Sequence, residues 1–89
     1  MAEQDMVEKM VVSSIATELC LSEEEILSNM DRNLDDYFSC DSLDTMDIVF
    51  SIEQMFRLKF DSEAIKNLHT ARDIVAYVEL KLDEKDQQK

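Results

Sequence analysis

The sequence predicts an all-α domain: a small four-helix bundle, three longer helices and one short one, with a long loop between the first and second main helices. Three observations carry this. Apolar residues recur at helical spacing in three separate segments. The 89 residues contain no glycine and no proline, whereas tight β-hairpins lean on glycine for backbone angles that other residues resist. With 45% apolar and 34% charged residues, the composition is that of a folded domain rather than a disordered tail or linker. The length fits one domain, residues 1–89.

In the first segment Val7, Val11, Ile15 and Leu19 stand at every fourth position, with Met10 and Val12 beside them and Glu8, Lys9 and Glu18 elsewhere on the wheel. This spacing predicts a helix over residues 4–19. Ser22 and Glu25 then stand at capping-box spacing, and Glu23, Glu24 and Glu25 suit the positive end of a helix, so one or two helical turns follow. From residue 28 to 41 the apolar period is lost and Asn29, Asp31, Asn33, Asp35 and Asp36 cluster, which predicts a long connection pinned by Leu34, Tyr37 and Phe38.

Residues 42–57 hold Leu43, Met46, Ile48, Val49, Phe50, Ile52, Met55 and Phe56, the strongest apolar segment and the central helix. Asp61 caps a short helix over 61–68. Thr70 with Asp73 then introduces a last helix to about residue 83, carrying Ala71, Ile74, Val75, Val78 and Leu82 at helical spacing. Residues 84–89 have no apolar anchor and read as a frayed tail.

Twenty-one acids against nine bases give a net charge of -12, which repels nucleic-acid phosphates and anionic membranes and selects basic partners. No apolar run reaches membrane-span or signal-peptide length, and Cys20 and Cys40 form no metal or disulfide pattern, so the expectation is a cytoplasmic monomer with no metal site. Cys20 reads as a core residue and Cys40 as small filler whose acidic neighbours disfavour the thiolate. His69, the only histidine, has no nucleophile motif around it and reads as a loop-positioning residue.

On the central helix Asp44, Asp47, Ser51 and Gln54 fall in one polar sector. Ile48, Val49, Ile52, Met55 and Phe56 read as core. Leu43, Met46 and Phe50 form a separate stripe for which two placements stay open, core or a partner-binding patch with an acidic rim. Between Asn33 and Phe56 there is no basic residue, while Asp35, Asp36, Asp41, Asp44, Asp47 and Glu53 are acidic, a pattern that favours docking of Arg and Lys. Residues 31–42 imitate a calcium loop at alternating positions, but Asp36 replaces its glycine and Ser42 its bidentate glutamate.

Asp41-Ser42-Leu43-Asp44 taken alone is a helix cap, Asp41 as N-cap and Asp44 at the third helical position. With residues 34–56 around it, the motif resembles the acyl carrier protein family, of the free-standing, bacterial type II-like kind. The resemblance covers most of the chain. It implies that Ser42 carries 4′-phosphopantetheine, attached covalently from coenzyme A, and that Asp41, Leu43, Asp44, Met46, Asp47, Phe50 and Glu53 face partner enzymes, with Gln54 replacing a common acid. Val7, Val11, Ile15, Phe56, Ile65, Ile74 and Val78 would surround a cavity for an attached chain.

The function so implied is not enzymatic: a phosphoprotein of fatty acid biosynthesis or related lipid metabolism, presenting acyl thioesters to separate enzymes. Its partners are a phosphopantetheinyl transferase (holo-carrier synthase), ketosynthases, acyltransferases and other basic-surfaced enzymes. Ser39 replaces the glycine usual before the motif, Phe38 a common leucine and Cys40 a common alanine, which points to a specialised member. The alternatives are a carrier for an aminoacyl or polyketide-type pathway and a non-carrier acidic, calcium-responsive interaction module.

Overall fold

The structure, a computed structural model, describes residues 2–87, with side chains over residues 6–85. Among these residues it is all-helical: α1 (Ala2–Leu19), α2 (Glu23–Leu27), α3 (Leu34–Tyr37), α4 (Ser42–Phe56), α5 (Ser62–Ile65) and α6 (Ala71–Gln87). Side chains written into the sequence start most of them. Ser22 Oγ accepts the Glu25 N–H at 3.1 Å, and Asn33 Oδ1 accepts the N–H groups of Asp35 at 2.9 Å and Asp36 at 3.3 Å. Thr70 Oγ1 accepts the Asp73 N–H at 3.1 Å while Asp73 Oδ2 accepts the Thr70 N–H at 3.2 Å, closing the expected cap of α6. Each bond satisfies a donor that the first helical turn leaves without a partner.

A chain without glycine must turn out of its helices on residues that carry a Cβ. It does so at Cys20 (φ 59°), Ser39 (φ 56°) and Arg57 (φ 56°), all left-handed. After Cys20, the Leu21 N–H reaches the Ala16 carbonyl at 2.9 Å and the Cys20 N–H reaches Thr17 at 3.3 Å, which closes α1 in a Schellman motif. After Arg57, the Leu58 N–H reaches the Glu53 carbonyl at 3.0 Å. After Ser39, the Cys40 N–H reaches back to the Leu34 carbonyl at 3.0 Å. Each left-handed residue is followed by an apolar one that the reversal drops inward: Leu58 and Cys40 are buried and Leu21 is half-buried.

α1 packs on α6, α4 and α2. The core they enclose takes Val7, Val11 and Ile15 from α1, Ile48, Val49 and Ile52 from α4, and Ile74 and Val78 from α6, joined by Ile26 of α2 and Leu34 of α3. Ile48 and Ile52 are wholly removed from solvent, and truncating such a side chain to alanine costs about 2–5 kcal/mol. Phe56 and Ile65 lean on this core half-buried. Backbone bonds strap the segment before α3 to the start of α6: the Leu34 N–H reaches the His69 carbonyl at 2.8 Å and the Arg72 N–H reaches Met30 at 3.1 Å.

Several expectations are corrected. The 28–41 connection contains α3, a single turn nucleated by Asn33 and too short to show an apolar period. Tyr37 does not pin it, being exposed, with its ring edge-on to half-buried Phe38 at 4.9 Å. The helix expected over 61–68 contracts to Ser62–Ile65, and Asp61 makes no side-chain cap bond there. α6 runs on to Gln87 instead of ending near 83, supported by the Lys81–Glu84 ion pair at 3.5 Å and by Lys85 Nζ donating to the Arg57 carbonyl at 3.2 Å. Of the tail read as frayed, residues 84–87 are therefore helical, and residues 88–89 lie outside the described residues. Cys20 is exposed and not core, because it is the turning residue itself. Met55 is 40% exposed and not core, one residue before the end of α4.

Candidate functional site

The site begins where the chain turns out of Ser39 into α4. Asp41 is the N-cap residue and Ser42 the first residue of a 15-residue helix. Asp41 Oδ1 accepts the Asp44 N–H at 2.9 Å and Asp44 Oδ2 accepts the Asp41 N–H at 3.4 Å, so the capping box is complete. Of the four N–H groups that open a helix, this box serves two and leaves those of Ser42 and Leu43. Ser42 is exposed. Its hydroxyl therefore projects into solvent beside two unserved donors and the positive end of a long helix.

Those features fit a phosphodiester on Ser42: an accessible hydroxyl, backbone donors and a favourable dipole stand together. The Asp41 and Asp44 carboxylates oppose a further negative charge, but both are committed to the cap. Cys40 sits two residues away, only 2% exposed, with its Sγ 3.5 Å from Thr45 Oγ1. Burial pushes its thiol pKa up; the Thr45 contact lowers it, and the charges of Asp44, Asp35 and Asp41 raise it further. Cys40 is thus a neutral packing residue, as its surroundings in the sequence imply.

Along α4 the apolar stripe of Leu43, Met46 and Phe50 is not core. Leu43 is 70% exposed, Phe50 61% and Met46 49%, a continuous apolar surface beginning one residue after Ser42. Asp41 and Asp47 are exposed beside it and Asp44 is half-exposed. Ser51 of the expected polar sector and Glu53 of the expected acidic docking set do other work. Ser51 is half-buried with its Oγ 3.5 Å from that of buried Ser14 on α1. Glu53 is half-buried, and its Oε2 accepts the Phe60 N–H at 2.8 Å. Gln54 is exposed.

Residues 31–42 do not have the shape of a calcium loop. Asn33 Oδ1 is the cap of α3, Asp31 Oδ1 pairs with Arg72 Nε at 2.7 Å, and the helical turn of Leu34–Tyr37 breaks the alternation of ligand positions. Among the described residues no group of three or more His, Cys, Asp or Glu side chains is placed to hold a metal ion. His69 contributes backbone only, its N–H to Asp73 Oδ2 at 3.0 Å and its carbonyl to Leu34. No helix among the described residues is long and apolar enough to cross a membrane.

Charge is unevenly shared: residues 1–56 hold fourteen acids and two bases, and residues 57–89 seven of each, so the net -12 belongs wholly to the part of the chain that contains Ser42 and α4. Sequence reading missed the two-arginine environment near α3, where Arg32 lies over the Tyr37 ring at 5.2 Å and Arg72 meets Asp31. Only the isolation of Arg32 among acids hinted at it.

Over residues 10–78 the chain matches the phosphopantetheine attachment site family. It is 33% identical to an acyl carrier protein of Thermotoga maritima over 92% of this chain and 99% of that one. It is 30% identical to the acyl carrier protein of Prochlorococcus marinus over 91% and 98%, and 32% identical to that of Exiguobacterium sibiricum over 78% and 85%. With a family match over most of its length, relatives covered almost end to end and a helix start that suits a phosphodiester, the chain belongs to the acyl carrier protein family, a carrier whose prosthetic group is covalently attached 4′-phosphopantetheine.

Proposed function

We propose that Ser42 is the attachment residue and that α4 is the docking face through which cytoplasmic synthase-type enzymes, in fatty acid or related biosynthesis, reach the loaded arm. The observation that carries this is the exposed Ser42 hydroxyl at the head of α4, adjoining the Leu43, Met46 and Phe50 surface. When bound, the group supplies a terminal thiol that holds acyl chains as thioesters. The chain itself orients and recognises. The Asp41–Asp44 box fixes the first turn so that Ser42 always leaves the surface in one direction. Leu43, Met46 and Phe50 supply apolar contact, and Asp41, Asp44 and Asp47 attract Arg and Lys, with Glu53 at the far edge. Phosphopantetheinyl transferase, ketosynthases and acyltransferases are the proposed partners, meeting the chain as a monomer.

A second reading, service in a specialised pathway that delivers an aminoacyl or polyketide-type unit, is supported by the residues that depart from the family resemblance, Phe38, Ser39 and Cys40, although the left-handed backbone of Ser39 (φ 56°) suits the glycine expected there. The test of the carrier assignment is intact mass after incubation with coenzyme A, magnesium and a broad-specificity phosphopantetheinyl transferase. Wild type gains one phosphopantetheine and Ser42→Ala gains none. Uptake by Ser42→Ala, or none by wild type, overturns the assignment.

A further inference from the structure

Arg32 is the only basic residue between Lys9 and Arg57, and in the fold it does not stand alone. Arg32 and Arg72 both line an open hollow beside the α2–α3 turn, together with Ser28, Asn29 and Asp31. Each guanidinium is held by a second contact. Arg72 Nε lies 2.7 Å from Asp31 Oδ1, with its Nη2 3.5 Å from Oδ2. Arg32 lies over the Tyr37 ring, 5.2 Å from its centroid. Stacking occupies the face of a guanidinium and leaves its edge donors available, and a guanidinium has five. Two positioned guanidinium groups with a hydroxyl and an amide beside them match a planar oxyanion.

Charge decides which oxyanion. A free anion approaching this protein meets a net -12 and is repelled before it reaches the hollow. A carboxylate set within a basic protein surface is carried in by the attraction of that surface for the surrounding acids. We infer that the Arg32–Arg72 hollow receives an acidic side chain of the phosphopantetheinyl transferase, a contact of reversed polarity that fixes the orientation in which the transferase meets α4. This rests on the carrier reading above. Along the chain α3 and the turn at Ser39 separate Arg32 from Ser42, and a rigid partner that engages both sets the angle of approach. Asp31 occupies Arg72 in the free protein and is the internal stand-in for the incoming carboxylate.

The test compares kcat/KM for phosphopantetheine transfer by the cognate transferase, at low salt, among full-length wild type, the double variant Arg32→Gln/Arg72→Gln, and Asp31→Asn. Overall charge and the hollow predict opposite signs. Removing two positive charges strengthens general attraction to a basic enzyme and speeds transfer. The hollow predicts a fall of about fivefold carried by KM, the size of one exposed charge-assisted contact. Asp31→Asn lowers the net negative charge, so general attraction predicts slower transfer, whereas freeing Arg72 for the partner predicts faster. A slower double variant with a faster Asp31→Asn supports the inference. An unchanged or faster double variant with an unaltered melting temperature overturns it, as does a slower Asp31→Asn, which needs no folded double variant. Wild type that takes up no phosphopantetheine overturns the carrier reading and the hollow together, and is recognised from the mass spectrum before any variant is compared.

Discussion

Glu53 and Phe60 are joined across the end of α4: the carboxylate Oε2 of the first accepts the N–H of the second at 2.8 Å. Phe60 is buried and its ring packs 4.8 Å from that of Tyr77, whose hydroxyl accepts the Asp61 N–H at 3.2 Å. The connection from α4 to α5 is thus tied to α4 through Glu53 and to α6 through Tyr77. Glu53 is a structural residue as well as a candidate for docking. Glu53→Ala leaves a half-buried N–H without its charged acceptor and is expected to lower stability by about 1–3 kcal/mol, whereas Glu53→Gln, which keeps an acceptor, loses less. Urea unfolding of the two variants measures this, and equal stabilities for wild type and Glu53→Ala would refute it.

Asp47 and Asp44 separate docking from capping. Asp47 is exposed, so Asp47→Lys is expected to slow transfer by the phosphopantetheinyl transferase at low salt with no change in melting temperature, and the difference should fade as salt is raised. Asp44→Lys slows transfer too, but it also breaks the box with Asp41 and loses about 0.5–2 kcal/mol of stability. Stopped-flow association and thermal melts distinguish the two.

Ser39 and Arg57 hold left-handed angles of φ 56° each, a conformation that penalises any residue with a Cβ by about 1–2 kcal/mol. Glycine relieves this but adds freedom to the unfolded chain. Ser39→Gly and Arg57→Gly are each expected to raise stability by about 0.5–1 kcal/mol net, read as a higher urea midpoint at unchanged slope. A loss in both would mean that the turns are held by their side chains.

Cys20 and Cys40 should differ sharply towards iodoacetamide. Cys20 is exposed and Cys40 buried, and the thiol pKa of Cys40 is raised by burial above its ordinary 9.0. In the folded protein at pH 8 one label per chain is expected, on Cys20. Because the unfolded chain ionises Cys40 at lower pH than the folded one, stability is full below pH 9.0 and declines as pH rises past it towards the folded value. Cys40→Ala should flatten that alkaline decline, and an identical slope in the variant would exclude Cys40 as its source.

What could be read beforehand followed from period and capping chemistry. The three long helices declare themselves through Val7, Val11, Ile15, through Ile48, Ile52 and through Ile74, Val78, because each buries a repeating face. α3 stayed hidden because one turn buries only Leu34 and depends on a single Asn33 side chain. The continuation of α6 through Lys85 was invisible because polar residues there are held by the Arg57 carbonyl, a partner 28 residues away that no local pattern reports. At the site, Asp41, Ser42 and Asp44 were legible as a motif. The stripe of Leu43, Met46 and Phe50 needed the fold, since spacing alone does not say which side of a helix its neighbours occupy. The work of Glu53 on Phe60 needed it too.

The capping box at the head of α4 has a consequence for how cargo and folding relate. Asp41 and Asp44, flanking the first helical residue, close the helix between themselves, so Ser42 is left with no structural duty. Under the proposed assignment, esterifying its hydroxyl removes no native hydrogen bond of the box and adds none that folding requires. Loading and folding are then nearly independent equilibria, with little linkage between them at the attachment point itself. A carrier built this way keeps one shape whether empty or charged, and what its partners sense of the difference has to come from the arm and its cargo.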